Sequence, residues 1–361
     1  MACKKLLSII VPSYNMEAYL SKGLGSLIVD DKVLLQKLDI IVVNDGSNDR
    51  TSEIAHGFET KYPGVFRVID KENGNYGSCV NAGLAIMQGI YVKILDADDT
   101  YDTKAFRRYL EFLEKMIDSG DGCDVVFNDF LTVDPEGNVR DRTSYAFTGS
   151  PSFTLAEFDY DTKPMVWAPA LAYRAQLLRT IRYRQSEKLF YTDQEWDTIP
   201  MLAVRTVQYC GECVYRYLIG RENQSCNDVV RLRNFAMHFP VAEKIVETYV
   251  ANKKVSPVAN LCLVENQIKM HIRLFYSTYL RWHHSTLDDG PLIAYDKFLK
   301  NADAEIYQYA DSVSAGNFRY VAEWRRKYSR ATFKFMIFDL MNICKRIVGK
   351  IISKCRNSIM R

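Results

Sequence analysis

Residues 89–99 read GIYVKILDADD, an apolar run that ends on three carboxylates, Asp96, Asp98 and Asp99. Within the run Gly89 to Leu95, Tyr91 to Leu95 reads as a buried strand. The carboxylates behind it are poor core material. Burying an unpaired carboxylate is costly, so such a cluster is solvated, paired, or holding a divalent cation. A hard cation held by one or two carboxylates keeps positions open and commonly grips a diphosphate. The stretch therefore predicts an acidic, cation-competent strand end and points to nucleotide-sugar chemistry.

Outward from this strand, short apolar runs alternate with amphipathic stretches. Leu6–Val11 (LLSIIV) reads as a strand closed by Pro12, and a helical pattern follows from Met16 to about Ile28. Asp39–Val43 (DIIVV) is a second strand, after which Asp49 and Thr51 are placed to cap a helix. Val65–Ile69 is a third strand and Gly77–Gln88 a helix before the acidic strand. Thr103–Ile117 is helical and Val125–Phe127 a further strand. Near-continuous apolar strands separated by helices predict an α/β fold with a mostly parallel sheet covered on both faces. Ligands of such sheets bind beyond the carboxyl ends of the strands. Four polar segments fall on that rim: Pro12–Asn15, Val43–Thr51 (VNDGSNDRT), Asn73–Gly77 and the acidic cluster.

Whole-chain properties exclude several classes. At 361 residues, with 48% hydrophobic and 25% charged residues, the chain has the composition of an ordinary globular protein with one large and one smaller domain. A net charge of +3 is too small to argue for nucleic acid. Nine cysteines are scattered without framework spacing, and no signal peptide stands at Met1–Lys5, so a reduced, cytoplasmic setting is expected. The single CGEC at Cys210–Cys213 reads as two thiols near a strand end. The five histidines show no metal spacing. No GxGxxG follows the first strand, which argues against a dinucleotide-binding oxidoreductase.

Pro12-Ser13-Tyr14-Asn15, NDGSNDRT, Glu72–Leu84 (ENGNYGSCVNAGL) and LDADD, in this order, resemble the nucleotide-binding half of the family-two inverting glycosyltransferases of the GT-A fold. The resemblance extends to about Ser225 and implies a GT-A domain over 1–225; beyond it the residue pattern predicts a helical region over 226–325 and a basic amphipathic helix over 326–361. It implies that Asp96 and Asp98 form the DxD element, with Asp98 the direct ligand of Mg²⁺ or Mn²⁺ and Asp96 turned toward ribose or metal. It casts Asp45 as the carboxylate that reads a uracil base. Pro12, Tyr14 and Asn15 would lie along the nucleoside, and Asn73 and Gly77 would add contacts. Inversion needs a base on the face opposite the leaving group, and family enzymes use an Asp downstream of DxD. TDQEW offers Asp193, with Thr192 where the family commonly has Glu; Glu195 is the rival base. Trp167 and Trp196 flank the expected acceptor side, and Arg221 in GRENQS is placed to meet the diphosphate.

From Phe333, apolar residues recur every three or four positions through Ile337, Leu340, Cys344, Ile347, Ile351 and Cys355, with Lys334, Lys345, Arg346, Lys350 and Lys354 between them. No stretch reaches the roughly 18 apolar residues of a spanning helix, so the tail reads as a helix lying on an anionic membrane surface. The expected function is transfer of a sugar from a nucleotide donor, UDP above all, to a saccharide or lipid-linked acceptor in surface-polysaccharide synthesis. Two alternatives stay open: a sugar nucleotidyltransferase, against which PSYN after strand one argues, and a non-catalytic nucleotide-sugar-binding homologue.

Overall fold

The computed structural model describes residues 4–145, 154–157, 165–221, 224, 227–282, 287–330, 335 and 337. The chain divides into two compact units, residues 1–267 and 268–361. Most of the basic tail, half of GRENQS and much of the segment between 146 and 164 lie outside the described residues.

In the first unit the described strands form one sheet: β1 (Leu7–Ser13), β2 (Leu38–Asn44), β3 (Phe66–Asp70), β4 (Tyr91–Ile94), β5 (Thr100–Tyr101), β6 (Val125–Val133), β7 (Val139–Thr143), β8 (Leu171–Arg174) and β9 (Val207–Leu218). Their order is β3-β2-β1-β4-β8-β6-β9-β5, with β7 beside the far half of β6. β3, β2, β1 and β4 run parallel. β8 enters antiparallel between β4 and β6, while β9 pairs parallel with β6. The sheet is thus mixed, with its parallel half where the sequence placed it. β1 and β2 are buried from end to end, which is why they read as unbroken apolar runs. Helix Asn75–Ile86 packs on β1 and β2, Thr51–Lys61 on β3, and Thr103–Asp118 on β9.

Pro12 does not close the first strand; β1 runs on to Ser13, paired with Asn44. Ile10 O accepts from Leu95 N on the β4 side, whereas Ser13 O accepts from Asp45 N on the β2 side. By alternation Pro12 faces the β4 side, one step past the end of that pairing, where a missing N–H costs no ladder bond.

CGEC is a bulge inside β9 rather than a strand end. Asn128 lies opposite Cys210 and Asp129 opposite Cys213, so Gly211 and Glu212 are the extra residues. Both cysteines are free thiols, and burial pushes Cys210 up to about 11, which makes it a poor nucleophile.

The break expected at residue 225 is not where the units part. Helix His238–Asn252 stays with the first unit, where Lys244 Nζ reaches Glu195 Oε2 at 2.5 Å. Asn260 Nδ2 further donates to Met201 O (2.6 Å) and Val204 O (2.7 Å). In the second unit, helix Gly290–Ala302 stops at Asp303, whose carboxylate accepts from Glu305 N and Ile306 N to start Ala304–Ala310. The helical region expected over 226–325 thus breaks here into two helices. Among the described residues no helix is long and apolar enough to cross a membrane.

Candidate active site

The loops after β1 and β2 are stitched together. Asn15 N donates to Ser47 Oγ (2.9 Å), Met16 N to Thr51 Oγ1 (2.7 Å) and Glu17 N to Asp49 Oδ2 (3.0 Å). In return Asn48 N donates to Asn15 Oδ1 at 2.9 Å. Asn15 takes a left-handed φ of 53° to do this, so its side chain holds the loop while the exposed Tyr14 beside it faces outward. Asp49 also accepts from Thr51 N (2.9 Å) just ahead of helix Thr51–Lys61, whose N-cap is Arg50 rather than the expected Asp49.

Asp45 stands buried at the end of β2. Its Oδ1 accepts from Lys71 Nζ (2.7 Å) and from Gly74 N (2.9 Å), and its carbonyl accepts from the Asn73 amide (3.0 Å). Gly74 is the N-cap of helix Asn75–Ile86. One turn of that helix therefore reaches two of the expected site carboxylates, because Tyr76 donates its hydroxyl to Asp96 Oδ1 at 2.9 Å.

Three carboxylates follow β4, and they have different fates. Asp99 is buried and structural: Tyr215 Oη and Leu218 N donate to it, each at 2.6 Å. Asp98 is half-buried and paired with Arg221 Nε at 2.7 Å. Asp96 is half-buried, and burial together with the neighbouring Asp98 charge pushes it up to about 7. Two carboxylates with incomplete charge compensation, supplying only hard oxygens, fit Mg²⁺ or Mn²⁺. The Arg221 guanidinium already shows that positive charge is wanted there. Among the described residues no set of three or more His, Cys, Asp and Glu is arranged to hold a metal alone. A pair of carboxylates is what a cation shared with a diphosphate needs.

Asp193 opens helix Asp193–Thr198. It lies near enough to Asp96 and Tyr76 for its charge to act on both. Burial raises its own pKa above the ordinary carboxylate value, while the amides at the helix start pull it back. The structure thus brings Asp193, Asp96, Asp98, Tyr76 and Arg221 into one electrostatic cluster. Asp45 sits two strands away, tied in through helix Asn75–Ile86.

Other expected site residues are placed differently. Trp196 is fully buried, edge-on to Tyr173 (4.9 Å) and Tyr183 (5.7 Å), and offers no face to a sugar. Trp167 is 41% exposed and keeps one. Gly77 is buried under Ser186: a Cβ there would lie 1.9 Å from the Ser186 carbonyl oxygen, so the glycine serves chain packing. Glu195 points away from the cluster, to Lys244 and to Ser186 N (3.0 Å), which excludes it as the rival base. Sequence reasoning missed Tyr76, Lys71 and Tyr19, whose ring lies 5.4 Å from the Arg221 guanidinium. Tyr76 lay within the quoted ENGNYGSC stretch; only its one-turn offset from Asn73 signalled a separate role. The sequence reading also gave no role to Lys93, buried in β4. Its ammonium reaches Asn128 Oδ1 (2.7 Å), Pro169 O and Leu171 O (3.2 Å each), pinning the segment that carries Trp167.

Residues 8–182 match the family model "Glycosyl transferase family 2". Similar proteins include an uncharacterized glycosyltransferase, EpsJ, of Bacillus subtilis (strain 168), 37% identical over 30% of this chain and 31% of that one. The minor teichoic acid biosynthesis protein GgaB of the same strain is 33% identical over 30% of this chain and 12% of its own length. An uncharacterized glycosyltransferase, MG025, of Mycoplasma genitalium is 34% identical over 39% of this chain and 44% of itself. The matched region spans less than half the length of each of these relatives. Among solved structures, S. aureus TarS 1-349 superposes with a TM-score of 0.65 at 18% identity, over 91% of this chain and 93% of that one. The likeness shows that the fold is GT-A.

Proposed function

We propose, for a chain whose residues 8–182 belong to glycosyl transferase family 2, that it is an inverting glycosyltransferase that draws on a uridine-diphosphate sugar. The observation that carries this reading is Asp193, a half-buried carboxylate within electrostatic reach of Asp96 beside Asp98. One acidic group is thereby available to take a proton while the others face a departing diphosphate.

In this mechanism Asp193 removes the proton of the acceptor hydroxyl. The freed oxygen bonds to the anomeric carbon from the face opposite the diphosphate. The bond from that carbon to the diphosphate oxygen breaks, its electron pair leaving with UDP, and the configuration inverts. General-base assistance of this kind contributes about 10²–10⁴-fold. The upward push on Asp193 suits the task, since a base of higher proton affinity takes the proton more readily. A divalent cation held by Asp98 and Asp96 would stabilise charge on the diphosphate. Arg221 pairs with Asp98 and, when released from it, brings a guanidinium to the phosphates. Asp45 and the loops carrying Tyr14 and Asn73 hold the nucleoside, and Trp167 lies on the acceptor side.

TarS, which shares the fold, has been solved with UDP and with UDP-GlcNAc, which supports a uridine donor. The relation to GgaB supports a place in cell-surface polymer synthesis. The basic amphipathic tail supports a peripheral position on the inner face of the membrane, next to a lipid-linked acceptor. The test is UDP release from a panel of nucleotide sugars with Mg²⁺ or Mn²⁺, using membranes as the acceptor source, beside an Asp193→Asn control. Release for one donor that the control lacks is the expected result. No donor releasing UDP above its hydrolysis background would overturn the proposal.

A further inference from the structure

The loop that delivers Asp193 is mounted on the donor-side helix. Asn81, two turns into Asn75–Ile86, exchanges a reciprocal pair of hydrogen bonds with Gln185: its Nδ2 donates to Gln185 O (2.9 Å) and its Oδ1 accepts from Gln185 N (2.9 Å). The same Nδ2 also donates to Glu187 Oε1 at 2.8 Å. Gly74 O accepts from Lys188 N at 2.8 Å. Between these two grips, Gly77 lets the Ser186 carbonyl lie where any side chain would stand. From the loop onward, Thr192 Oγ1 donates to Gln185 Oε1 (3.2 Å) and Glu195 accepts from Ser186 N, which fixes the first turn of the Asp193 helix to the same residues. Arg182, Lys188 and Tyr191 hold left-handed φ values of 52°, 61° and 66°. A loop carrying three such residues keeps its shape only if its surroundings over-determine it. The other end of the mounting helix touches the donor-side carboxylates, through Gly74 N on Asp45 and Tyr76 Oη on Asp96.

We infer that helix Asn75–Ile86 registers the base against the donor carboxylates, with Asn81 and Gly77 as positioning residues for Asp193. The inference rests on the reading of Asp193 as the base. Asn81 and Gly77 act by fixing where the Asp193 carboxylate sits, and a misplacement of about 1 Å at a reacting centre costs about 10²-fold in rate.

The experiment uses the full chain and compares Asn81→Ala, Asn81→Asp and Gly77→Ala with Asp193→Asn. It measures melting temperature, UDP affinity by calorimetry, and kcat and KM for the donor that the UDP-release screen identifies. Asn81→Ala is expected to lower kcat about 10- to 100-fold with donor KM and UDP affinity within threefold of the parent. Asn81→Asp keeps the acceptor for Gln185 N–H and is expected to fall between. It also serves as the informative variant should Asn81→Ala fail to fold. Gly77→Ala, which pushes Ser186 outward, is expected to lose at least as much kcat as Asn81→Ala. Combined with Asp193→Asn, the Asn81 change is expected to add no further loss of UDP release, because a residue acting through the base has nothing left to position. Parent-like kcat in the Asn81 variants, while Asp193→Asn abolishes transfer, would overturn the inference and leave the base assignment standing. So would equal losses in both backgrounds, or a fall in UDP affinity that matches the fall in kcat. Full transfer by Asp193→Asn would instead remove the base assignment itself.

Discussion

Asp193 has to be ionised to accept a proton, yet its surroundings favour the protonated form: burial first, with the Glu195 charge adding to it. Its folded pKa therefore lies above that of a free aspartate. The acid limb of kcat/KM, below which the base is protonated and idle, is expected at a higher pH than an ordinary carboxylate would give. A pH–rate profile checks this, and a limb at or below the free-aspartate value would count against Asp193. Asp193→Asn is expected to lower kcat by about 10²–10⁴-fold while leaving UDP affinity intact, since the change removes only proton transfer. Asp98 calls for the opposite signature. Asp98→Ala is expected to abolish the gain in UDP affinity that Mn²⁺ confers, read by calorimetry with and without the metal. An Mn²⁺ effect equal to the parent's would show that the cation is held elsewhere. Arg221 complicates this reading, because its guanidinium competes for the Asp98 oxygen a cation needs. Arg221→Ala is thus expected to raise the affinity for Mn²⁺ alone while weakening UDP.

At the scale of elements, β4 and β9 are joined at their functional ends by Asp99. It accepts from Tyr215 Oη and Leu218 N, both on β9, and a short residue in its place leaves two buried donors unpaired. Asp99→Ala is expected to cost about 1–3 kcal/mol for each donor left unpaired, read from urea unfolding. A change under about 0.5 kcal/mol would mean that water replaces the carboxylate. The same carboxylate shows where the sequence stopped being legible. DADD announced an acidic site, but nothing in its spacing separates Asp99, whose partners lie about 120 residues downstream, from Asp96 and Asp98. The parallel half of the sheet was legible because β1, β2 and β4 are buried on both sides and leave continuous apolar runs. The other half was not. β7 (VRDRT) is exposed and polar, β8 has four residues, and the bulge at Gly211–Glu212 breaks the alternation of β9. Trp196 was misplaced for a related reason. A short helix start carrying Asp193, Glu195 and Asp197 looks solvated, although Glu195 and Asp197 are in fact buried. One contact that sorts these residues, Lys244 on Glu195, comes from 49 residues downstream.

Two features of the whole molecule bear on function and stability separately. The basic segment after Phe333 is expected to govern membrane affinity. Deleting 331–361 should reduce sedimentation with anionic vesicles while leaving UDP affinity unchanged, and undiminished sedimentation would assign lipid contact elsewhere. The second unit depends on a buried charge. Asp296 is fully buried and accepts from Arg325 Nε (2.7 Å), Tyr328 Oη (3.1 Å) and Tyr276 Oη. Arg325 also meets Asp311 at 2.9 Å and lies 3.6 Å from the centre of the Tyr307 ring. Such a pair gives little net stability, because removing both charges from water offsets most of their attraction, but breaking it strands one of them. Asp296→Ala is therefore expected to cost about 3–5 kcal/mol, whereas Asp296→Leu with Arg325→Met should recover most of that loss, short of the parent by the acceptor that the Tyr276 and Tyr328 hydroxyls lose. Hydrogen exchange locates the effect: protection should fall across 290–325 in the single variant and return in the double. A single variant as well protected as the parent would show that Asp311 and the aromatic ring suffice to hold the guanidinium. Because Asp296 and Arg325 belong to the second unit and the carboxylate cluster to the first, UDP affinity is expected to be the same in both variants.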